Sequence, residues 1–315
     1  MKRQWIEIDQ IDLKDERFRT SFYPPLEKMK ISVKEIGVLQ PPLVQKRGSH
    51  FLLVSGWKRI IACRACSLSP LEVMITERED DLAVFLLGFF ENLATRDFPL
   101  VEKAEIAFRL KKFGEPDDRV RAFYLPLLGL TPTGSHLETL LSLAMFETAQ
   151  KEMIAAKDMP LQTIERLAEF RNEERALILP WLMPLGQNNQ KELIDDLLEI
   201  TRRDDKTAGD LLESEEIGGI LKSPKLPALQ KSEKLKEILR KKRYPEFSRW
   251  SESFDSVRRK IPWPKGILVK PSSFFEEDRL SLIFRFKTKK EFQAGLSRLQ
   301  KIASERGFSR LFREP

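Results

Sequence analysis

The chain has 315 residues, 33% of them charged, and a formal net charge of +7, which is enough material for two or three domains with sizeable cores. No run approaches an apolar membrane span, and the start Met1-Lys-Arg-Gln-Trp lacks a signal-peptide core, so membrane and secretory classes are set aside and a cytoplasmic location is expected. Cys63 and Cys66 are the only cysteines and His50 and His136 the only histidines, a set too small and too dispersed for a four-ligand zinc site.

From the amino terminus, short apolar runs at Trp5–Ile8, Leu43–Val44, Phe51–Val54 and Leu71–Ile75 read as strands separated by helical segments, a small mixed α/β domain. The run Phe51–Ser55 suits a buried strand, and Trp57–Cys66 carries apolar residues at helical spacing. Gly56 therefore falls at a strand-to-helix turn. A helix start with a glycine is a ready anion site, and Lys58 and Arg59 in the first turn add charge at the end of a helix where cations are otherwise disfavoured. The plain alternative is an ordinary turn glycine with two solvated basic neighbours. Cys63 and Cys66, three residues apart on that helix, read as packing residues. Further on, Glu91 and Asn92 follow the apolar stretch Leu82–Phe90 and supply a carboxylate and an amide oxygen side by side, enough for a magnesium ion held mainly by phosphates. A polar helix end is the simpler reading.

Three blocks in order, Gly37-Val-Leu-Gln40-Pro-Pro-Leu-Val44, Gly56-Trp-Lys-Arg59-Ile-Ile-Ala62 and Glu91-Asn92-Leu-Ala-Thr-Arg96, resemble the amino-terminal nucleotide-binding domain of the ParB family of partition proteins, whose fold is sulfiredoxin-like. The resemblance covers about the first third of the chain. It implies binding of cytidine triphosphate (CTP) with Mg: Glu91 and Asn92 would serve the metal and hydrolysis, Ser55, Gly56, Lys58, Arg59 and Arg96 the phosphates, and Gln40 the base or ribose side. Two departures are visible. Trp57-Lys58-Arg59 stands where the family has Glu-Arg-Arg, and Thr95 falls where it places arginine, with Arg96 one position later.

Pro99 opens a different texture. Val101–Phe113 reads as a helix, and helical segments broken by Pro126, Pro132, Pro160, Pro180 and Pro184 continue to about Asp210. The resemblance implies a helix-turn-helix here, matched by Leu128–Leu143, with a turn at Gly129, a cap at Thr131 and Pro132 at the first helical position. Thr133, Ser135 and His136 are then the base-edge candidates. No Arg or Lys occurs between Arg121 and Lys151, so the helical layout is kept while its DNA chemistry is weakened.

Asp204–Pro227 is polar, with Gly218, Gly219 and two prolines, and is expected to be a linker. From Lys222 onward 25 basic residues face 11 acidic ones, a balance of +14, whereas the remainder carries −7. A basic end on an acidic body suggests a polyanion-binding face, and its densest part, Lys231–Arg243, closes with Arg240, Lys241, Lys242 and Arg243 as the candidate DNA contacts. The last segment reads strand (266–270), strand (279–286) and helix, with Leu280, Leu282, Phe284 and Phe286 on one strand face and Phe292, Leu296, Leu299 and Ala303 along one helix stripe. So thin a core would gain from a partner copy.

The expected organisation is α+β: a ParB/sulfiredoxin-like nucleotide-binding domain (1–98), an all-helical helix-turn-helix-like domain (99–210), a linker and basic segment (211–264) and a small β-β-α dimerisation domain (265–315). The expected function is a nucleotide-switched clamp on DNA, nucleoid-associated, in partition or regulation. Its expected partners are DNA, a second copy and a ParA-type ATPase, with slow triphosphatase activity and no membrane. Two alternatives stay open: a nucleotide-dependent kinase of free serine, and a DNA-binding adaptor with a vestigial nucleotide site.

Overall fold

The structure, a computed structural model, describes residues 1–22, 26–271, 280–304, 306–309 and 311. It divides into two compact units, Met1–Ile194 and Asp195–Pro315.

The first unit opens with a five-stranded sheet built from β1 (Lys2–Ile6), β2 (Ile11–Asp12), β3 (Leu43–Arg47), β4 (His50–Ser55) and β5 (Leu71–Thr76), in the order β1-β5-β3-β4-β2. β1 runs antiparallel to β5 and β3 antiparallel to β4, while β3–β5 and β2–β4 are parallel. The strand expected over Trp5–Ile8 begins earlier, because β1 is an edge strand whose backbone pairs with β5 from Lys2 onward while four of its five side chains stay exposed. Pairing of that kind needs no apolar run. Central β4 is buried throughout from Phe51 to Ser55.

α1 (Glu27–Ile36) and α2 (Trp57–Ala65) contribute Val33, Trp57, Ile60 and Ala62 to one core with Val44, Leu53, Val73 and Ile75. Cys63 joins this core, and both cysteines are free. α3 (Asp81–Leu93) starts at Asp80, whose side chain accepts from the Ala83 amide at 3.1 Å. It crosses β4 so closely that a Cβ at Gly88 would lie 3.0 Å from the Val54 carbonyl oxygen. That glycine fixes how near the carboxyl end of α3 comes to the turn after β4.

The helical part follows as α4 (Leu100–Lys112), α5 (Asp117–Arg119), a π-helical turn over Val120–Tyr124, α6 (Leu125–Leu127), α7 (Gly134–Ala144), α8 (Thr148–Lys157), α9 (Leu161–Leu167) and α10 (Asn172–Leu182); α11 (Gln187–Asp204) contains the division between the units. The mixed α/β start and the mostly helical body are as the sequence predicts. Within the body, Glu105 on α4 accepts from Lys151 on α8 at 2.8 Å and is paired with Arg109. Burial pushes the Glu105 carboxyl up, but the bonds from Lys151 and Arg109 more than offset this and hold it below its ordinary value. A lowered folded-state pKa means stability present at neutral pH and lost as pH falls through the carboxylate range, near 4. Lys151→Met should therefore cost about 1–3 kcal/mol at neutral pH and much less at acid pH, measured by urea unfolding across pH.

The second unit continues with α12 (Ala208–Leu212), α13 (Glu215–Leu221), α14 (Ala228–Arg243), α15 (Pro245–Lys260), β6 (Ile267–Pro271), β7 (Leu280–Phe284), α16 (Lys289–Ala303) and α17 (Arg306–Ser309). The stretch 204–227, expected as a linker, thus holds two short helices with Leu211, Leu212 and Ile217 buried. β6 and β7 pair antiparallel with Val269 opposite Leu282. Arg279, placed in the second strand by the sequence reading, lies outside the described residues. Gly295 lets α16 lie against Phe284, whose ring a Cβ there would overlap.

Candidate nucleotide site and nucleic-acid contacts

Gly56 is the left-handed N-cap of α2, at φ 97° and ψ 24°. A Cβ would meet Pro42 Cβ at 3.0 Å and the Arg59 guanidinium at 3.1–3.2 Å, so conformation and space both demand glycine. Arg59 folds back over this turn: its Nη1 donates to the Gln40 carbonyl at 2.5 Å and to the Pro41 carbonyl at 3.3 Å, and its Nη2 to Glu91 Oε1 at 3.2 Å. Gln40 Nε2 donates to the same Glu91 oxygen at 2.9 Å. Residues from all three sequence blocks therefore meet in one cluster. Lys58 is half-buried beside them and has no hydrogen-bond or ion-pair partner among the described residues.

Asn92 is held rigidly. Its Nδ2 donates to the Gly88 carbonyl at 2.7 Å and to Ser55 Oγ at 3.4 Å, while its Oδ1 accepts from Arg96 Nε at 3.2 Å. Ser55, 2% exposed, is thus a support for Asn92. Arg96 also pairs with buried Glu102 on α4 and lies 4.7 Å from the Phe98 ring centroid, with Nη2 buried and without a hydrogen bond among the described residues. Both residues, expected among the phosphate ligands, hydrogen-bond to Asn92; Gln40, expected at the base or ribose, bonds to the Glu91 carboxylate. Thr95 caps the end of α3, donating to the Glu91 and Asn92 carbonyls at 3.3 and 3.1 Å. Trp57, where the resemblance places glutamate, is 5% exposed in the sheet core, under the Arg19 guanidinium.

Glu91 Oε1 is occupied by two donors, and Oε2 has no hydrogen bond among the described residues. One such carboxylate beside an amide oxygen fits a magnesium ion whose other ligands are phosphate and water. No group of three or more His, Cys, Asp or Glu side chains able to hold a metal occurs among the described residues, so the set fits a phosphate-bound ion better than a metal cage.

Over residues 2–93 the sequence matches the family model of the ParB N-terminal domain. This stretch is a ParB N-terminal domain. Relatives of this ParB domain include the chromosome-partitioning protein ParB of Caulobacter vibrioides, 34% identical over 93 residues (29% of this chain and 30% of that protein), and the probable chromosome 1-partitioning protein ParB of Deinococcus radiodurans, 36% identical over 100 residues (29% and 34%). The chain thus spans about a third of the length of these relatives. Among solved structures, the C-terminally truncated ParB of Caulobacter crescentus complexed with CTP-gamma-S aligns with a TM-score of 0.27 and 22% identity, covering 55% of this chain and 94% of that one. The same protein complexed to the centromeric parS site aligns at 0.34 and 19%, covering 61% and 98%.

Past the ParB domain, α7 begins two residues later than the sequence reading placed it. Thr133 is the cap, accepting from the His136 amide at 3.3 Å, and Pro132 precedes it; Thr131 instead offers its carbonyl to His136 Nδ1 at 3.1 Å. Ser135 Oγ donates to Glu165. All three base-edge candidates are thus committed to bonds within the fold.

The basic quartet is similarly engaged. Lys241 pairs with Glu252 at 2.7 Å, Lys242 with Glu216 at 2.8 Å, and Arg243 with Asp196, whose side chain is 7% exposed, at 2.9 Å. Only Arg240 of the four has no ion pair among the described residues. The free charge lies further on. Arg285, Lys287, Lys289, Lys290, Arg298 and Lys301 are exposed and form no ion pair among the described residues, and Glu291 is the single acid of α16.

Proposed function

We propose that the chain is a DNA-associated nucleotide switch of the partition-protein kind, binding a nucleoside triphosphate, CTP first, with magnesium at the Gly56 turn. The observation that carries this is the meeting of Arg59, Gln40 and Glu91 at the Gly56 turn within a ParB N-terminal domain, with Lys58 in the same helical turn as Arg59 and Asn92 next to Glu91. Lys58 and Arg59 hold phosphates against the backbone N–H groups of the α2 start. Glu91 and Asn92 take the metal, which screens phosphate charge when bound. Ser55, Gly88 and Arg96 keep Asn92 oriented. Binding shifts the chain between open and closed forms in proportion to its different affinity for them.

DNA is held through phosphates by the exposed basic residues of 285–301, and a second copy covers the apolar stripe of the same module. No helix among the described residues is long and apolar enough to cross a membrane.

Calorimetry with CTP and magnesium tests the nucleotide reading. Lys58→Ala removes a charge-assisted contact of ~1.5–3 kcal/mol and should weaken binding about ten-fold or more. Equal affinity in the two proteins would reject the phosphate role of Lys58. Product analysis separates the alternatives: slow diphosphate release marks the switch, phosphoserine a kinase, and no binding an adaptor.

A further inference from the structure

We propose that Glu91 is an exchangeable side chain: without a divalent cation its carboxylate occupies Arg59 and repels the incoming anion, and with one it transfers to the cation and releases Arg59 to the phosphates. The proposal rests on the nucleotide reading and adds how the metal requirement arises. Its basis is the different way the two neighbouring metal-site residues are held.

Asn92 is clamped by Gly88, Ser55 and Arg96, and neither of its amide atoms has to move. Among the described residues, Glu91 is held only by Arg59 and Gln40, both through one oxygen, with its side chain 26% exposed and the second oxygen without a hydrogen bond. Arg59 is anchored independently of it by two backbone carbonyls, so the guanidinium keeps its place over the Gly56 turn when the carboxylate leaves. The Arg59 N–H that Glu91 vacates is adjacent to the α2 start, where a phosphate would accept it.

Charge dictates the direction of the exchange. A triphosphate brings several negative charges to a site that already contains one carboxylate, and at a separation of a few ångströms in a partly buried site that repulsion is not negligible. A divalent cation turns the same carboxylate from a competitor into a ligand. Gln40 is then a positioning residue, biasing Glu91 toward Arg59 in the metal-free form.

The test is calorimetric titration of CTP, and separately of inorganic triphosphate, in chelator and in magnesium, with wild type, Glu91→Gln and Gln40→Ala. Glu91→Gln keeps shape and removes charge. In chelator it should bind both ligands tighter than wild type, by about ten-fold. In magnesium it should bind them more weakly than wild type, so the strong metal dependence of the wild type disappears. Gln40→Ala should lower the magnesium concentration at half-effect, because Glu91 is then less biased toward Arg59. Glu91→Gln binding more weakly than wild type by the same factor in both buffers would overturn the exchange while leaving the nucleotide site intact. A wild type that binds neither ligand in magnesium would overturn the nucleotide reading and the exchange with it. Inorganic triphosphate binding with this metal dependence, but without CTP binding, supports the exchange and rejects CTP as the ligand.

Discussion

Replacing Arg285, Lys287, Lys290, Arg298 and Lys301 together by alanine should remove most of the affinity for duplex DNA, whatever its sequence. Each neutralised phosphate contributes about −0.9 to the slope of log affinity against log salt, so the slope should flatten by up to ~4.5 for each copy on the DNA if every one of the five contacts a phosphate. Alanine at Arg240, Lys241, Lys242 and Arg243 should flatten it by ~0.9 per copy at most, because three of these charges are already neutralised by Glu252, Glu216 and Asp196. That variant should instead lose stability, since the Arg243 ion pair serves a buried carboxylate. Changing Ser135 and His136 should leave the slope alone. Fluorescence anisotropy against salt for the three variants decides among these surfaces. A flattened slope in the 240–243 variant alone would return the contact to the basic end of α14.

The contrast shows which properties a sequence displays. Charge density is visible in the run Arg240–Arg243, but whether a charge is free depends on partners distant in the chain, such as Asp196, 47 residues before Arg243. The same holds at the nucleotide site. Gly56, Lys58, Arg59, Glu91 and Asn92 can be picked out individually because a glycine turn, cations at a helix start and paired oxygen ligands each have a local signature. The bonds joining Arg59, Gln40 and Glu91 have none. Gly88 was missed although a glycine inside an apolar helix is a signal of close approach, here to Val54. For α7 the local signals competed. Thr131 and Thr133 are both competent caps around a proline, and the start went to the one whose oxygen meets the His136 amide. The buried strand β4 and the helices α2 and α4 were legible because their apolar periodicity is the packing itself.

Leu282→Asp should convert the protein from dimer to monomer. Leu282, Phe286, Phe292 and Leu296 are 45%, 52%, 36% and 42% exposed, an apolar patch on a module whose own core is only two strands and a few helices. A second copy would cover it, and an aspartate there would be buried without a partner, raising the dissociation constant by more than about 100-fold. Because Leu282 is nearly half exposed in the single chain, circular dichroism of the variant should match wild type, so loss of the dimer will not reflect loss of the fold. Sedimentation at roughly tens of micromolar checks this; a monomeric wild type would reject the dimer. Around α16, at 3.6 residues per turn, Phe292, Leu296, Leu299 and Ala303 fall within about 60°, whereas Lys290, Arg298 and Lys301 fall within about 80° on the opposite side. Dimerisation and phosphate contact are therefore geometrically independent on this helix. Monomeric Leu282→Asp should keep a salt-dependent affinity for duplex DNA, with about half the wild-type slope because one basic face remains in place of two.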